Sequence, residues 1–155
     1  MSDPQQTLTF ELFVEAKEKG LRYALIAMFG IEDGRDAAAH ALLYGWENWP
    51  RLQEMSNPAG YLYRVGQTWG HRNGHRTKTF PVIDEHREPW VEPRLAQALD
   101  SLPEDQRVAV VMRHGADCSY EHIAELLETS AGAVRKKVER ALHRLRVTLE
   151  VSHES

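Results

Sequence analysis

The sequence is short of cysteine. Only Cys118 is present, so an intrachain disulfide is excluded, nothing points to an oxidising compartment, and the cytoplasm is the expected location. Long apolar runs are missing too. The opening Met1-Ser2-Asp3-Pro4-Gln5-Gln6 is polar where a signal peptide needs an apolar core, and no later stretch has the roughly 20 apolar residues that span a bilayer. Charge of one sign is not in excess: 19 Lys and Arg against 23 Asp and Glu give a formal net charge of −4, so overall charge does not announce a nucleic-acid binder. Strong strand-like alternation, internal repeats and low-complexity tracts are absent, as are a nucleophile elbow, a phosphate-binding glycine loop and an H-E-x-x-H pair. These absences remove the usual sequence grounds for a secreted disulfide scaffold, a membrane protein or an enzyme.

What is present is 155 residues, 42% of them hydrophobic, enough for one medium domain or two small ones with compact cores. The distribution of charge says more than its sum. Acidic residues dominate 1–36 and 84–105, while Arg, Lys and His gather at 71–78 and 135–146. The chain therefore carries two separate basic patches.

Apolar residues at Phe13, Ala16, Ala24, Leu25 and Met28 predict a helix over Leu8 to Phe29, closed by Gly30, with Gly20 as a point where it splits. A second helix is expected from about Asp33 to Trp49, with Ala38, Leu42, Gly45 and Trp49 on one face and Pro50 ending it; Trp46 and Trp49 are its large core anchors. Asn57-Pro58 reads as the cap and first position of a third helix with Leu62, Val65 and Trp69 inward. Gly66, Gly70 and Gly74 fall four apart along it, which calls either for another backbone approaching closely on that side or for fraying before Gly74. From Thr79 to Pro93, three prolines among acidic and polar residues read as a linker. Beyond it, Arg94 to Leu102 reads as a short helix and Pro103-Glu104-Asp105 opens another, with Val108, Val111 and Met112 inward and Gly115 at its end. The expected fold class is all-α: two small helical domains, 1–78 and 94–151, joined by the linker 79–93.

Ser119 to Arg146 is the most informative stretch. Tyr120, Ile123, Ala124 and Leu127 share one helical face, Thr129 or Ser130 caps the next helix, and Val134, Val138, Ala141, Leu142, Leu145 and Leu149 form an apolar stripe along it. Arg135, Lys136, Lys137, Arg140 and Arg144 lie off that stripe. Two short helices, a tight connection and a cationic second helix make a helix-turn-helix: the small residues Ala131, Gly132 and Ala133 admit a close backbone approach, and the long cations reach phosphates or guanine edges. His71 and His75, and Cys118 and His122, are spaced as metal-binding pairs are, but neither pair completes a ligand set, so no metal or cofactor is expected.

Leu102-Pro103-Glu104-Asp105-Gln106-Arg107, Ser119 to Leu127, Ser130 to Arg135 and Arg140-Ala141-Leu142 together resemble region 4 of extracytoplasmic-function (ECF) sigma factors. Asp36 to Trp46 and Asn57-Pro58-Ala59-Gly60-Tyr61-Leu62-Tyr63-Arg64-Val65 resemble the same family's region 2, so the likeness covers most of residues 10–150. The resemblance implies promoter DNA and core RNA polymerase as partners, with an anti-sigma factor as a further one, and no catalysis by the chain itself. It puts Ser130, Ala133, Arg135, Lys136 and Arg140 at the minus-35 element, where the basic face adds Lys137 and Arg144. Arg64, His71, Arg72, His75 and Arg76 become the minus-10 strand patch, and Asp36, His40 and Trp46 the polymerase contacts. The chain departs from the family pattern at Ala39-His40, where a Gln-Glu pair is common, at Thr68, Arg72 and Asn73, where Asn, Asp and Arg are usual, and at Glu128, where a turn glycine is frequent. Two other readings stand beside it: a helix-turn-helix regulator that does not bind polymerase, and a protein acting mainly through an anti-sigma partner.

Overall fold

The computed structural model describes residues 4–74 and 94–154, and every regular element among them is helical. The segment read as the linker, 79–93, lies outside the described residues, as do His75 and Arg76. Helix α1 (Pro4–Phe29) runs unbroken through Gly20 and buries Leu21, Ala24, Leu25 and Met28. Gly20 does not split it; the residue is itself buried, and a Cβ there would stand 3.2 Å from Cys118 Sγ. Gly30, at φ 97°, then ends one helix and starts the next: its N–H reaches Ile26 O at 2.8 Å and its carbonyl accepts from Gly34 N at 2.8 Å. That left-handed backbone is open to glycine at little cost and strained for any other residue.

Helix α2 (Ile31–Glu47) starts two residues before the expected Asp33, with Glu32 and Asp33 in its first turn, where carboxylates suit the positive end of the helix. It stops at Glu47. Pro50, expected to end α2, instead occupies the opening turn of a separate short helix, α3 (Trp49–Leu52), where its missing N–H costs nothing. Trp49 is buried and its indole N–H donates to Thr9 Oγ1 at 2.9 Å, while Trp46 is only half-buried, 5.6 Å from Phe10 ring to ring.

Helix α4 (Pro58–Asn73) begins as its sequence requires, with Asn57 Oδ1 accepting from Gly60 N at 2.9 Å and Pro58 in the first position. The helix runs to Asn73 with Gly74 as its C-cap, and the close neighbour of Gly66 and Gly70 is side chain, not the backbone that their spacing suggested. A Cβ at residue 66 would stand 2.6 Å from Leu25 Cδ1, and one at residue 70 would strike the Phe29 ring, so the two glycines let α4 lie directly on α1. Each buried leucine of this contact, such as Leu25 or Leu62, contributes about 1.5–3 kcal/mol.

The C-terminal elements are α5 (Leu95–Asp100), α6 (Glu104–Val110), a π-helical turn (Val111–Gly115), α7 (Tyr120–Leu127) and α8 (Ala131–Glu154). Pro103 precedes α6 and Glu104 and Asp105 fill its first turn. One apolar cluster runs from Leu25, Leu62 and Tyr63 through Val108 and Met112 to Ile123, Leu126, Val134 and Val138; a smaller one joins Ala98, Leu102 and Val110 to Ala141 and Leu145. The N-terminal helices and the helix-turn-helix therefore pack on each other. Arg107 crosses between them, its buried Nε donating to Ala27 O at 2.6 Å and its Nη1 to Leu102 O at 3.1 Å.

Candidate nucleic-acid interface

In the helix-turn-helix, Ser119 Oγ accepts from His122 N at 3.0 Å and fixes the start of α7. Glu128 ends that helix at φ 56°, ψ 51°, and Thr129 N returns to Ala124 O at 3.0 Å. Of the two residues expected to cap α8, Ser130 does so: its Oγ accepts from Ala133 N at 3.1 Å. Ile123, Ala124 and Leu126 of α7 are buried with Val134 and Val138 of α8, so the angle between the helices is set by packing, and the Ser130 hydroxyl caps the exit from the turn.

The outward face of α8 is cationic. Arg135, Lys136, Arg140 and Arg144 are exposed, as is Ser130, while Ala133 is half-buried. A Cβ added at Gly132 meets nothing within 4 Å, so the start of the helix is clear for a close approach. The Arg135 guanidinium sits 5.2 Å from the Tyr120 ring centroid and Arg113 sits 4.5 Å from the same ring, which steadies Arg135 without spending its charge. At about 100° per residue, His143 and Arg146 fall on the same side of the helix, and both are exposed. Sequence reasoning left them off the contact list, although a helical projection finds them. Lys137 is set apart: it is half-buried, with Nζ 3.9 Å from Asp105 of α6. Leu142, counted in the apolar stripe, is 37% exposed at its edge.

A second surface lies between α2 and α4. His40, Tyr44, Tyr61, Arg64, Thr68, Trp69 and Arg72 line a groove of about 400 Å³. The His40 and Trp69 rings stack at 5.5 Å and 24°. Tyr44 and Tyr61 bring their hydroxyls to 3.4 Å, Arg51 Nη2 donates to Tyr44 Oη at 2.6 Å, and the Arg51 guanidinium is 5.6 Å from the Tyr61 ring. Their shared hydrogen bond, with Arg51 assisting, lowers the Tyr61 hydroxyl below its ordinary pKa and, with burial, raises that of Tyr44. Aromatic faces and cations therefore line one open groove, the combination that stacks unpaired bases and holds their phosphates.

Of the residues expected at the minus-10 strand, Arg64 and Arg72 reach this groove, whereas His71 turns its ring edge-on to Phe29 at 5.1 Å. The remaining two, His75 and Arg76, lie outside the described residues. The three residues assigned to polymerase are not brought together. Asp36 is exposed on α2, His40 one turn on lines the groove, and Trp46 turns back towards Phe10. Tyr44, Tyr61 and Trp69 were not anticipated as site residues; Trp69 reads in sequence as part of an apolar line and is in fact half-buried at the groove.

Four polar contacts bridge the N-terminal helices and the helix-turn-helix, or lie beside that seam. Lys17 Nζ pairs with Glu125 at 3.1 Å, Asn57 Nδ2 donates to Glu125 O at 2.7 Å, Arg64 Nη2 pairs with Glu128, and Lys137 faces Asp105. Asn57 thus caps α4 with one end of its amide and ties α7 with the other. Among the described residues no group of three or more metal-ligating side chains occurs. Cys118 Sγ and His122 Nε2 both lie against Gly20, where burial raises the thiol pKa and, with Lys17, lowers that of the imidazole.

Residues 93–145 match the family model described as Sigma-70, region 4. The RNA polymerase sigma-E factor of Streptomyces avermitilis is 30% identical over 156 residues, covering 94% of this chain and 87% of that protein. The RNA polymerase sigma-E factor of Streptomyces antibioticus is 31% identical over 128 residues, covering 76% of this chain and 71% of its own. Among solved structures, the sigma factor RpoE in complex with the anti-sigma factor NepR from Bartonella quintana shares the fold, with a TM-score of 0.65 at 19% identity over 92% of this chain and 98% of that one. Among the described residues no helix is long and apolar enough to cross a membrane.

Proposed function

This chain belongs to the extracytoplasmic-function sigma factors of bacterial RNA polymerase, and we propose that it divides promoter reading between the two surfaces described above. The cationic face of α8 reads the minus-35 duplex, with Arg135 and Lys136 at base edges or phosphates and Arg140 and Arg144 following the backbone. The groove of α2 and α4 takes the melted minus-10 strand: Trp69, His40 and Tyr61 offer faces for unstacked bases, and Arg64 and Arg72 offer charge for phosphates. The work is binding and strand capture in the cytoplasm, and bond-making is left to the polymerase. The co-crystal of RpoE with NepR supports an anti-sigma protein as a further class of partner.

The observation that carries this reading is the exposed row of cations on α8, seated behind a turn capped by Ser130. Scale adds to it. Two elements named for positions 25 base pairs apart are separated by about 85 Å of duplex, whereas a folded chain of this length has a radius of gyration of about 15 Å. Units 1–78 and 94–151 therefore separate at 79–93 when both elements are read. Fifteen extended residues reach about 50 Å, enough to let the two units part. The test is co-purification of the tagged chain with core polymerase subunits, followed by selection of bound duplexes from a random pool. Retained subunits and one enriched motif are expected; neither subunits nor motif would overturn the reading.

A further inference from the structure

The seam between the two units holds a small polar cavity of about 280 Å³, where Arg64, Lys137, Glu104, Asp105 and Glu128 meet beside Gln67. Its two cations come from different units: Arg64 is a proposed strand contact, and Lys137 is a basic residue of the recognition helix held towards α6, off the exposed row. Each is also already engaged. Arg64 Nη2 pairs with the Glu128 carboxylate across the seam, and Lys137 Nζ lies 3.9 Å from Asp105. Glu128 makes its contact from φ 56°, a left-handed backbone in which a residue with a Cβ is strained, at the end of α7 where the turn into the recognition helix begins. A glycine would adopt that turn at less cost but would leave Arg64 without this partner. Lys17 and Asn57 hold Glu125, one turn away, against α1 and α4, so the face of α7 that carries Glu128 is registered on α4 at more than one point.

We propose that Glu128, with Asp105 beside it, acts as an internal substitute for the DNA phosphate: the carboxylates occupy Arg64 and Lys137 while the units are packed, and promoter DNA must displace them. The packed chain is then a low-affinity form, and Glu128 sets how readily the strand-binding groove accepts DNA. This rests on the reading of Arg64 as a strand contact. A carboxylate and a phosphate oxygen present the same acceptor to a guanidinium, so the two compete for one site rather than binding side by side. Exposed ion pairs are weak, so the expected effect is a graded one, a shift in affinity of about 3- to 5-fold rather than an all-or-none switch.

The experiment uses the full chain and two fluorescent probes, a mixed-sequence single strand of about 12 nucleotides and a mixed-sequence duplex of about 25 base pairs, titrated over a range of salt. Glu128→Gln keeps the shape of the turn and removes the charge. It should bind the single strand about 3- to 5-fold more tightly at low salt, and its salt slope should steepen by about 0.7, as one added phosphate contact on a single strand requires. The gain should vanish when Arg64→Ala is added. Asp105→Asn should do the same for the duplex through Lys137, and Glu11→Gln, a charge change on an exposed site of α1, should do neither. Glu128→Gly repeats the loss of charge with an unstrained turn, so a folding defect in one variant is distinguishable from an effect on DNA. An unchanged Glu128→Gln, in a chain that Arg64→Ala weakens, overturns the competition while leaving Arg64 as a DNA contact. A gain that persists without Arg64 overturns it as well, because the effect is then one of net charge. If Arg64→Ala is silent in both backgrounds, Arg64 is no strand contact and the proposal falls with that reading.

Discussion

Along α8 the cations come from one helix, whereas the groove between α2 and α4 exists only through the packing of helices, with Gly66 and Gly70 letting α4 lie on Leu25 and Phe29 of α1. The first surface is an exposed row suited to a stiff, regular duplex. The second is a recess of rings and cations suited to bases that have left their stack. The two differ also in how much tertiary structure each depends on, and substitutions should expose that.

The largest effects should separate the surfaces cleanly. Arg135→Ala should weaken duplex binding by about 1–3 kcal/mol in a sequence-dependent way if it reads a base, leaving single-strand binding unchanged. Trp69→Ala should do the converse, costing about 1–3 kcal/mol for the single strand and nothing for the duplex. Anisotropy titrations with both probes check the pair, and a variant that weakens both probes equally would erase the distinction. Arg140→Ala, as a phosphate contact, should weaken duplex binding uniformly across sequences and reduce the salt slope by about 0.9.

Smaller effects test the dependence on packing. Gly70→Ala forces a methyl group into the Phe29 ring and should destabilise the chain by about 1–2 kcal/mol after the helix-propensity gain of alanine, with strand binding falling further than duplex binding. Denaturant unfolding measured beside both titrations reads this out. The smallest concerns pH. Burial, with Lys17 assisting, holds the His122 imidazole below its ordinary 6.5, so the neutral form is favoured on folding and unfolding takes up a proton. That contribution is present above about pH 6.5 and is lost as pH falls through the lowered folded value; because the group is only part-buried it is small. His122→Asn should flatten that portion of the stability profile.

What was legible in the sequence follows the same division. The helix-turn-helix was readable because its cap, its apolar stripe and its cations are contiguous: Ser130 is one of two capping hydroxyls beside the stripe, and Val134 to Leu145 need only helical periodicity to be placed. Asn57-Pro58 was readable for the same reason. The groove was not, because His40 and Trp69 are 29 positions apart and meet only through the packing of α2 on α4. Trp69 counted as core by its spacing, since periodicity locates a face but not the depth of its burial. The Arg64 to Glu128 contact joins residues 64 positions apart across a seam that no local pattern reports. Pro50 misled as a helix stop because proline suits a first turn as well as it breaks an interior one, and only the geometry at Asn48 decides between the two.

The measurement that bears most directly on the account is run-off transcription by purified core polymerase on a linear template carrying the selected motif, with and without the full chain. The account predicts initiation at one defined start site that depends on the chain, falls with Arg135→Ala and falls separately with Trp69→Ala. A template that core polymerase leaves silent whether or not the chain is added, with no chain retained on the polymerase, would contradict it.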